Sequence, residues 1–226
     1  MALNVQTFKT RSLTAVVFVV VMLGGLLWNV WSFMILFLLI HFGCWSEFVQ
    51  LSKRINALNS YRSILVGLLY ITLPIFLLCW LRLTYIGGNL SDNSLKIIPC
   101  GILFSMWVND TMAYIVGSFI GKTPLTKISP KKTWEGTIGG MILCVIAITL
   151  IGKWASLYST ADWIAISSIC AVFGTLGDIV ESKLKRSAGV KDSGTLMPGH
   201  GGFLDRFDSF LIATPFAWLY VVLFMK

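Results

Sequence analysis

Acidic, basic and hydroxyl side chains gather in one stretch of this chain, between two strongly apolar segments. Asp178, Glu181, Ser182 and Lys185 recur at offsets of three, four and seven, which places them on one face of a helix emerging from an apolar run. Arg186, Lys191 and Asp192 follow, and then Pro198-Gly199-His200-Gly201-Gly202-Phe203-Leu204-Asp205-Arg206-Phe207-Asp208. Carboxylates offer hard oxygen ligands to a divalent cation, and ammonium and guanidinium groups hold phosphates; phosphoryl or nucleotidyl transfer needs both. The glycines around His200 let the backbone turn sharply and come close to a ligand. Asp205 and Asp208, three residues apart, share a face if the final helix has begun by Asp205, and they can then meet Asp178 as a cation site. Simpler readings stand beside these: a solvated helix end for the Asp178 to Lys185 face, a helix cap for Asp205, and a structural hydrogen bond for His200.

Two upstream segments add candidates. The loop Gly121-Lys122-Thr123-Pro124 to Ser129-Pro130-Lys131-Lys132-Thr133-Trp134-Glu135-Gly136 is basic and stiffened by two prolines. Its Lys122-Thr123 is not a P-loop, because three residues rather than four separate Gly117 from Gly121 and an apolar span rather than a strand precedes them. Lys131 and Lys132 are therefore either topology signals or phosphate ligands. Asp110, within Trp107-Val108-Asn109-Asp110-Thr111, is an acid deep inside an apolar run, where charge is costly and a functional or paired role is expected.

The elements that must position these groups are membrane helices. The chain is 56% hydrophobic and 12% charged with a mean hydropathy of +0.80, which excludes an ordinary soluble core. We expect an all-α, polytopic protein of about seven spans. They lie near Ser12 to Trp28, Trp31 to Phe48, Ile64 to Leu83, Ile97 to Ile120, Thr137 to Gly152, Trp163 to Val180 and Ser209 to Met225. With the N-terminus in the cytoplasm, fourteen of the eighteen Lys and Arg fall on one side, all but Arg82, Lys96, Lys153 and Lys226. The net charge of +8 thus marks a cytoplasmic face turned to anionic headgroups or an anionic substrate, and no nucleic-acid partner is expected. The first apolar run reads as an uncleaved span, since a second follows at once. Cys44, Cys79, Cys100, Cys144 and Cys170 lie in or beside apolar runs without paired spacing, so neither disulfides nor a zinc site is expected. The chain reads as one membrane-embedded domain, 1–226, with N-terminal spans over 1–95 and a catalytic half over 96–226.

The run Ser182-x-Leu184-Lys185-Arg186, Lys191-Asp192-Ser193-Gly194 and Leu196 to Asp208 resembles the signature of the phosphatidate cytidylyltransferases, or CDP-diacylglycerol synthases. Upstream, Leu176-Gly177-Asp178, Ser129 to Gly136 and Asn109-Asp110-Thr111-x-Ala113-Tyr114 continue the resemblance, which covers the C-terminal half closely. It departs at Met112, where members usually have a small residue, and in the smaller number of spans before Asp110. The resemblance implies a membrane enzyme, often a homodimer, that transfers CMP from CTP to phosphatidate at the cytoplasmic face of a bacterial inner membrane, with Mg²⁺ and a second cation such as K⁺. On that reading Asp178, Asp205 and Asp208 hold the metal, and Ser182 and Lys185 join them in the catalytic set. Lys131, Lys132, Arg186, Lys191, His200 and Arg206 hold the anionic substrates.

Competing functions fit less well. Activation of a different lipid phosphate would use the same headgroup chemistry. The D-G-x-x-A-R run of the CDP-alcohol phosphotransferases is absent. A transporter would need a polar path and paired interrupted spans, whereas here the charges collect on one side.

Overall fold

The computed structural model describes residues 5–55, 60–84, 92–155, 158–195 and 201–225. Among them the order is α1 (Val5–Leu27), α2 (Val30–Arg54), α3 (Ser60–Gly67), a π-helical turn (Leu68–Thr72), α4 (Leu73–Leu83), α5 (Asp92–Ile120), α6 (Trp134–Ala155), α7 (Thr160–Ser187) and α8 (Leu204–Phe224). An isolated β bridge joins Pro124 and Thr133. The all-helical expectation holds.

Local sequence explains several boundaries. Asn29 caps α2, its side chain accepting from the Ser32 N–H at 2.8 Å, and Ser159 caps α7 by accepting from the Asp162 N–H at 3.1 Å. The π turn sits just before Pro74, whose missing N–H disrupts the regular hydrogen-bond ladder. Its Thr72 hydroxyl receives the Trp45 indole N–H at 2.9 Å and so ties α2 to the third hydrophobic unit.

Five stretches are long and apolar enough to cross a membrane: α2, the α3–α4 unit (Tyr61–Leu83), α6, α7 and α8. The apolar part of α1, Leu13–Leu27, is shorter. At 29 residues α5 has the length, but Asn109-Asp110 interrupts its apolar surface. Leu39, Phe42, Ile142, Leu150 and Leu223 point outward and exposed, as they do where lipid rather than water surrounds the bundle. In that setting tight packing holds helices together in place of the hydrophobic effect.

The core shows such packing. Phe33, Phe37 and Phe48 of α2 meet Phe207 and Phe210 of α8, together with Ile102 and Met106 of α5 and Cys170 of α7. Gly136 and Gly140 of α6 lie against Ala113 and Gly117 of α5, so close that a β-carbon at Gly140 would come within 2.6 Å of the Ala113 nitrogen. Small residues four apart thus seat α6 on α5. Gly177 does the same for α7 on α8, where a β-carbon would stand 2.5 Å from the Asp208 carbonyl oxygen.

Candidate active site

The approach at Gly177 decides which acids meet. It brings Asp178 of α7 beside Asp208 of α8, and Glu181, one turn further along α7, joins them. One oxygen from each of the three lies within 4.8 Å of the others. Glu181 is fully buried, at 0% exposure. Its Oε2 meets the Lys185 ammonium at 2.6 Å, and its Oε1 has no hydrogen-bond partner among the described residues. Asp178 is paired with Lys132 from the α5–α6 loop, and the Ser182 hydroxyl stands 3.5 Å from its Oδ1. Like charges so close repel, and the two lysines offset part of that repulsion.

Asp205 lies outside that group of three. The expected cation set was Asp178, Asp205 and Asp208, but the structure groups Glu181 with Asp178 and Asp208. The Asp205 carboxylate is turned to other partners. Its Oδ1 accepts from Lys185 at 2.6 Å, and its Oδ2 accepts from the Gly202 N–H at 2.7 Å and from the Ser193 N–H and hydroxyl at 2.9 Å each. The physical reason is the turn before α8. Gly201 has φ +82°, a left-handed conformation open to glycine, and it folds the chain so that nearby donors converge on Asp205. Lys185 bridges the two groups, with Glu181 on one side and Asp205 on the other.

A cavity of about 980 Å³ opens beside these residues. Lys131, Lys132, Lys185, Lys191 and Arg206 line it, as do Asp110, Asp178, Asp205 and Asp208. The α5–α6 loop is folded over it by the bond from the Leu125 N–H to the Lys132 carbonyl, at 2.7 Å. Glu135 secures the loop's start by accepting from the Lys122 N–H at 3.2 Å and the Thr123 N–H at 3.1 Å. Burial pulls the Lys132 ammonium below the usual lysine range, and the Asp110 charge opposes that shift.

Arg186 faces away from this cavity. Arg186 is not among the lining residues, and its guanidinium donates to the Val190 carbonyl at 3.0 Å, closing the turn after α7. His200, with Leu196 to Gly199, lies outside the described residues.

A sequence profile described as the Cytidylyltransferase family matches residues 56–224. This chain belongs to that family. Phosphatidate cytidylyltransferase of Staphylococcus aureus (strain COL) is 34% identical over 195 residues, 77% of this chain and 70% of its own length. The phosphatidate cytidylyltransferase of Bacillus subtilis (strain 168) is 46% identical over 121 residues, 53% of this chain and 45% of its own. Phosphatidate cytidylyltransferase 4, chloroplastic, of Arabidopsis thaliana is 46% identical over 144 residues, 62% of this chain and 36% of its own. The chain spans about half the length, or less, of most of the first relatives it matches.

Sequence reasoning missed one acid altogether. Glu47, in α2 and ahead of the residues that the family profile matches, is buried at 5% exposure. It accepts from the Phe203 N–H and the Leu204 N–H, each at 2.9 Å, and from the Ser193 hydroxyl at 2.7 Å. A signal was present, since an acid one residue inside the expected end of an apolar span is costly unless satisfied. Glu181 was visible on that helix face, but the sequence reading did not group it with Asp178 and Asp208.

Proposed function

We propose that this chain transfers CMP from CTP to phosphatidate, giving CDP-diacylglycerol and pyrophosphate. The observation that carries the reading is the cavity in which five basic side chains face a compact group of carboxylates, in a chain of the cytidylyltransferase family. Both substrates are anionic, so the barrier is largely one of charge crowding. Lys132, Lys185, Lys191 and Arg206 hold phosphate oxygens and bring the reactants into line, and Lys131 at the mouth draws them in. The phosphate of phosphatidate, already ionised near neutral pH, attacks the α-phosphorus of CTP. The bond from that phosphorus to the pyrophosphate oxygen breaks, and no strong base is required.

The hard oxygens of Asp178, Glu181 and Asp208 fit a magnesium ion, and the unpartnered Glu181 Oε1 is an acceptor in want of a cation. When bound, Mg²⁺ supplies neutralisation of the phosphate charge. Lys132 and Lys185, now engaged by Asp178 and Glu181, would hold phosphate oxygens beside an ion held by those acids. K⁺ as a second cation is part of the same proposal, as is a homodimer. So is the topology: seven spans in a bacterial inner membrane, with the N-terminus and the cavity mouth facing the cytoplasm. The asymmetry of Lys and Arg supports it.

The test is formation of lipid-soluble label by detergent-purified protein given phosphatidate, α-labelled CTP and Mg²⁺. Product that requires all three is expected. No product from folded protein, across several lipid phosphates and metals, would overturn the assignment.

A further inference from the structure

The Ser193 hydroxyl lies between two carboxylates, Glu47 Oε2 at 2.7 Å and Asp205 Oδ2 at 2.9 Å. A hydroxyl has one proton, so it serves one acid fully at a time, and the two carboxylates are coupled through it. Glu47 also takes the Phe203 and Leu204 N–H groups, which are orphan donors at the start of α8. Those bonds fix where α8 begins, and therefore where Asp205 and Asp208 project. From Asp205 the chain of contacts runs to Lys185 and on to Glu181.

Two glycines of the signature are explained by the same acid. A β-carbon at Gly194 would fall on Glu47 Oε1, and one at Gly202 would fall on both Glu47 oxygens. The carboxylate fills the space that their missing side chains leave. It comes from α2, 146 residues before Ser193 in sequence.

We propose that Glu47 is a positioning residue for the cytidylyltransferase site, holding Asp205 and the α8 entry in register through Ser193 and the Phe203 and Leu204 N–H groups. The proposal rests on the activity reading above for its consequence in turnover, and on the hydrogen bonds alone for its consequence in structure. Glu47 touches no reacting group; it acts through Asp205.

The test uses the full chain in detergent as wild type, Glu47→Gln, Glu47→Asp, Ser193→Ala and the Glu47→Gln/Ser193→Ala double variant. Two quantities are followed, amide hydrogen exchange over residues 201–208 and steady-state CMP transfer. Glu47→Gln cannot accept from both backbone N–H groups through its amide nitrogen, so exchange over 201–208 should rise about tenfold or more while the α5–α6 seam stays as protected as before. Its kcat should fall about 10- to 100-fold, with KM for CTP within about threefold of the wild type. Glu47→Asp should recover most of the loss, and the double variant should cost less than the sum of the two single variants because they share one bond. Unchanged exchange at 201–208, a uniform rise throughout the protein, or an unchanged kcat per folded molecule would each overturn the proposal. A wild type without transferase activity would overturn the activity reading instead, and the exchange arm would then decide the role of Glu47 by itself.

Discussion

Lys185 is paired with Glu181 and Asp205, while Asp178 and Asp208 group with Glu181, and substitution should separate the parts these four acids play. Asp178→Asn and Asp208→Asn are each expected to lower kcat by about 100-fold or more, because they remove charge that faces the phosphates' cation. In both variants, and in Glu181→Gln, the Mg²⁺ concentration for half-maximal rate should rise. In Asp205→Asn the rate should fall while that Mg²⁺ requirement stays at the wild-type value, since Asp205 is turned to Lys185, Ser193 and Gly202. A Mg²⁺ titration of each variant checks this, and an Asp205→Asn curve displaced like that of Asp178→Asn would return Asp205 to the ligand set. The spacing of Asp178, Glu181, Ser182 and Lys185 made one helix face readable in sequence, because it depends only on local geometry. That Glu181 rather than Asp205 groups with Asp178 and Asp208 was not readable. Asp205 is claimed by donors from the Ser193 strand of loop and the Gly201 turn, whose placement is set by tertiary packing. Glu47 was harder still, since its partners are more than a hundred residues away in sequence.

Helix seams place those residues, and the α5–α6 seam offers a graded test. At Gly140 an added β-carbon would meet the backbone of Ala113 at 2.6 to 2.7 Å, whereas at Gly139 it would meet the Val116 side chain, which can rotate. Gly140→Ala is therefore expected to cost about 1–3 kcal/mol, and Gly139→Ala less. Thermal unfolding in one detergent compares them, and equal midpoints for the two variants would contradict the seam. The helices themselves were legible as apolar runs, but apolar length alone did not reach their ends, and the turns after Val180 were legible only from the spacing of Asp178 to Lys185. The run Trp163 to Val180 belongs to a helix that continues to Ser187, and the added turns carry Glu181, Ser182 and Lys185. Hydropathy registers the lipid-facing length of a helix and is blind to the polar turns beyond it, which is where this site is built. The π turn at Leu68–Thr72 was likewise invisible, because Pro74 marks a disturbed ladder without saying how it is resolved.

At the scale of the molecule, sidedness is the property most open to test. If the charge asymmetry sets topology, a cysteine introduced at Lys127 should react with an impermeant thiol reagent only from the cytoplasmic face, and one at Lys153 only from the opposite face. Labelling of right-side-out and inverted vesicles reads this directly, and the reverse pattern would overturn the orientation. One further feature bears on how such a protein could be inhibited. Three successive N–H groups, those of Gly202, Phe203 and Leu204, point into a glycine-rich turn of the kind that elsewhere grips phosphate, yet here all three are taken by the chain's own Asp205 and Glu47. On the proposed function, a triphosphate is then held by lysine and arginine side chains rather than by these three N–H groups. Its affinity should weaken steeply with ionic strength, and a neutral phosphate mimic that depends on backbone amides would find these three already occupied.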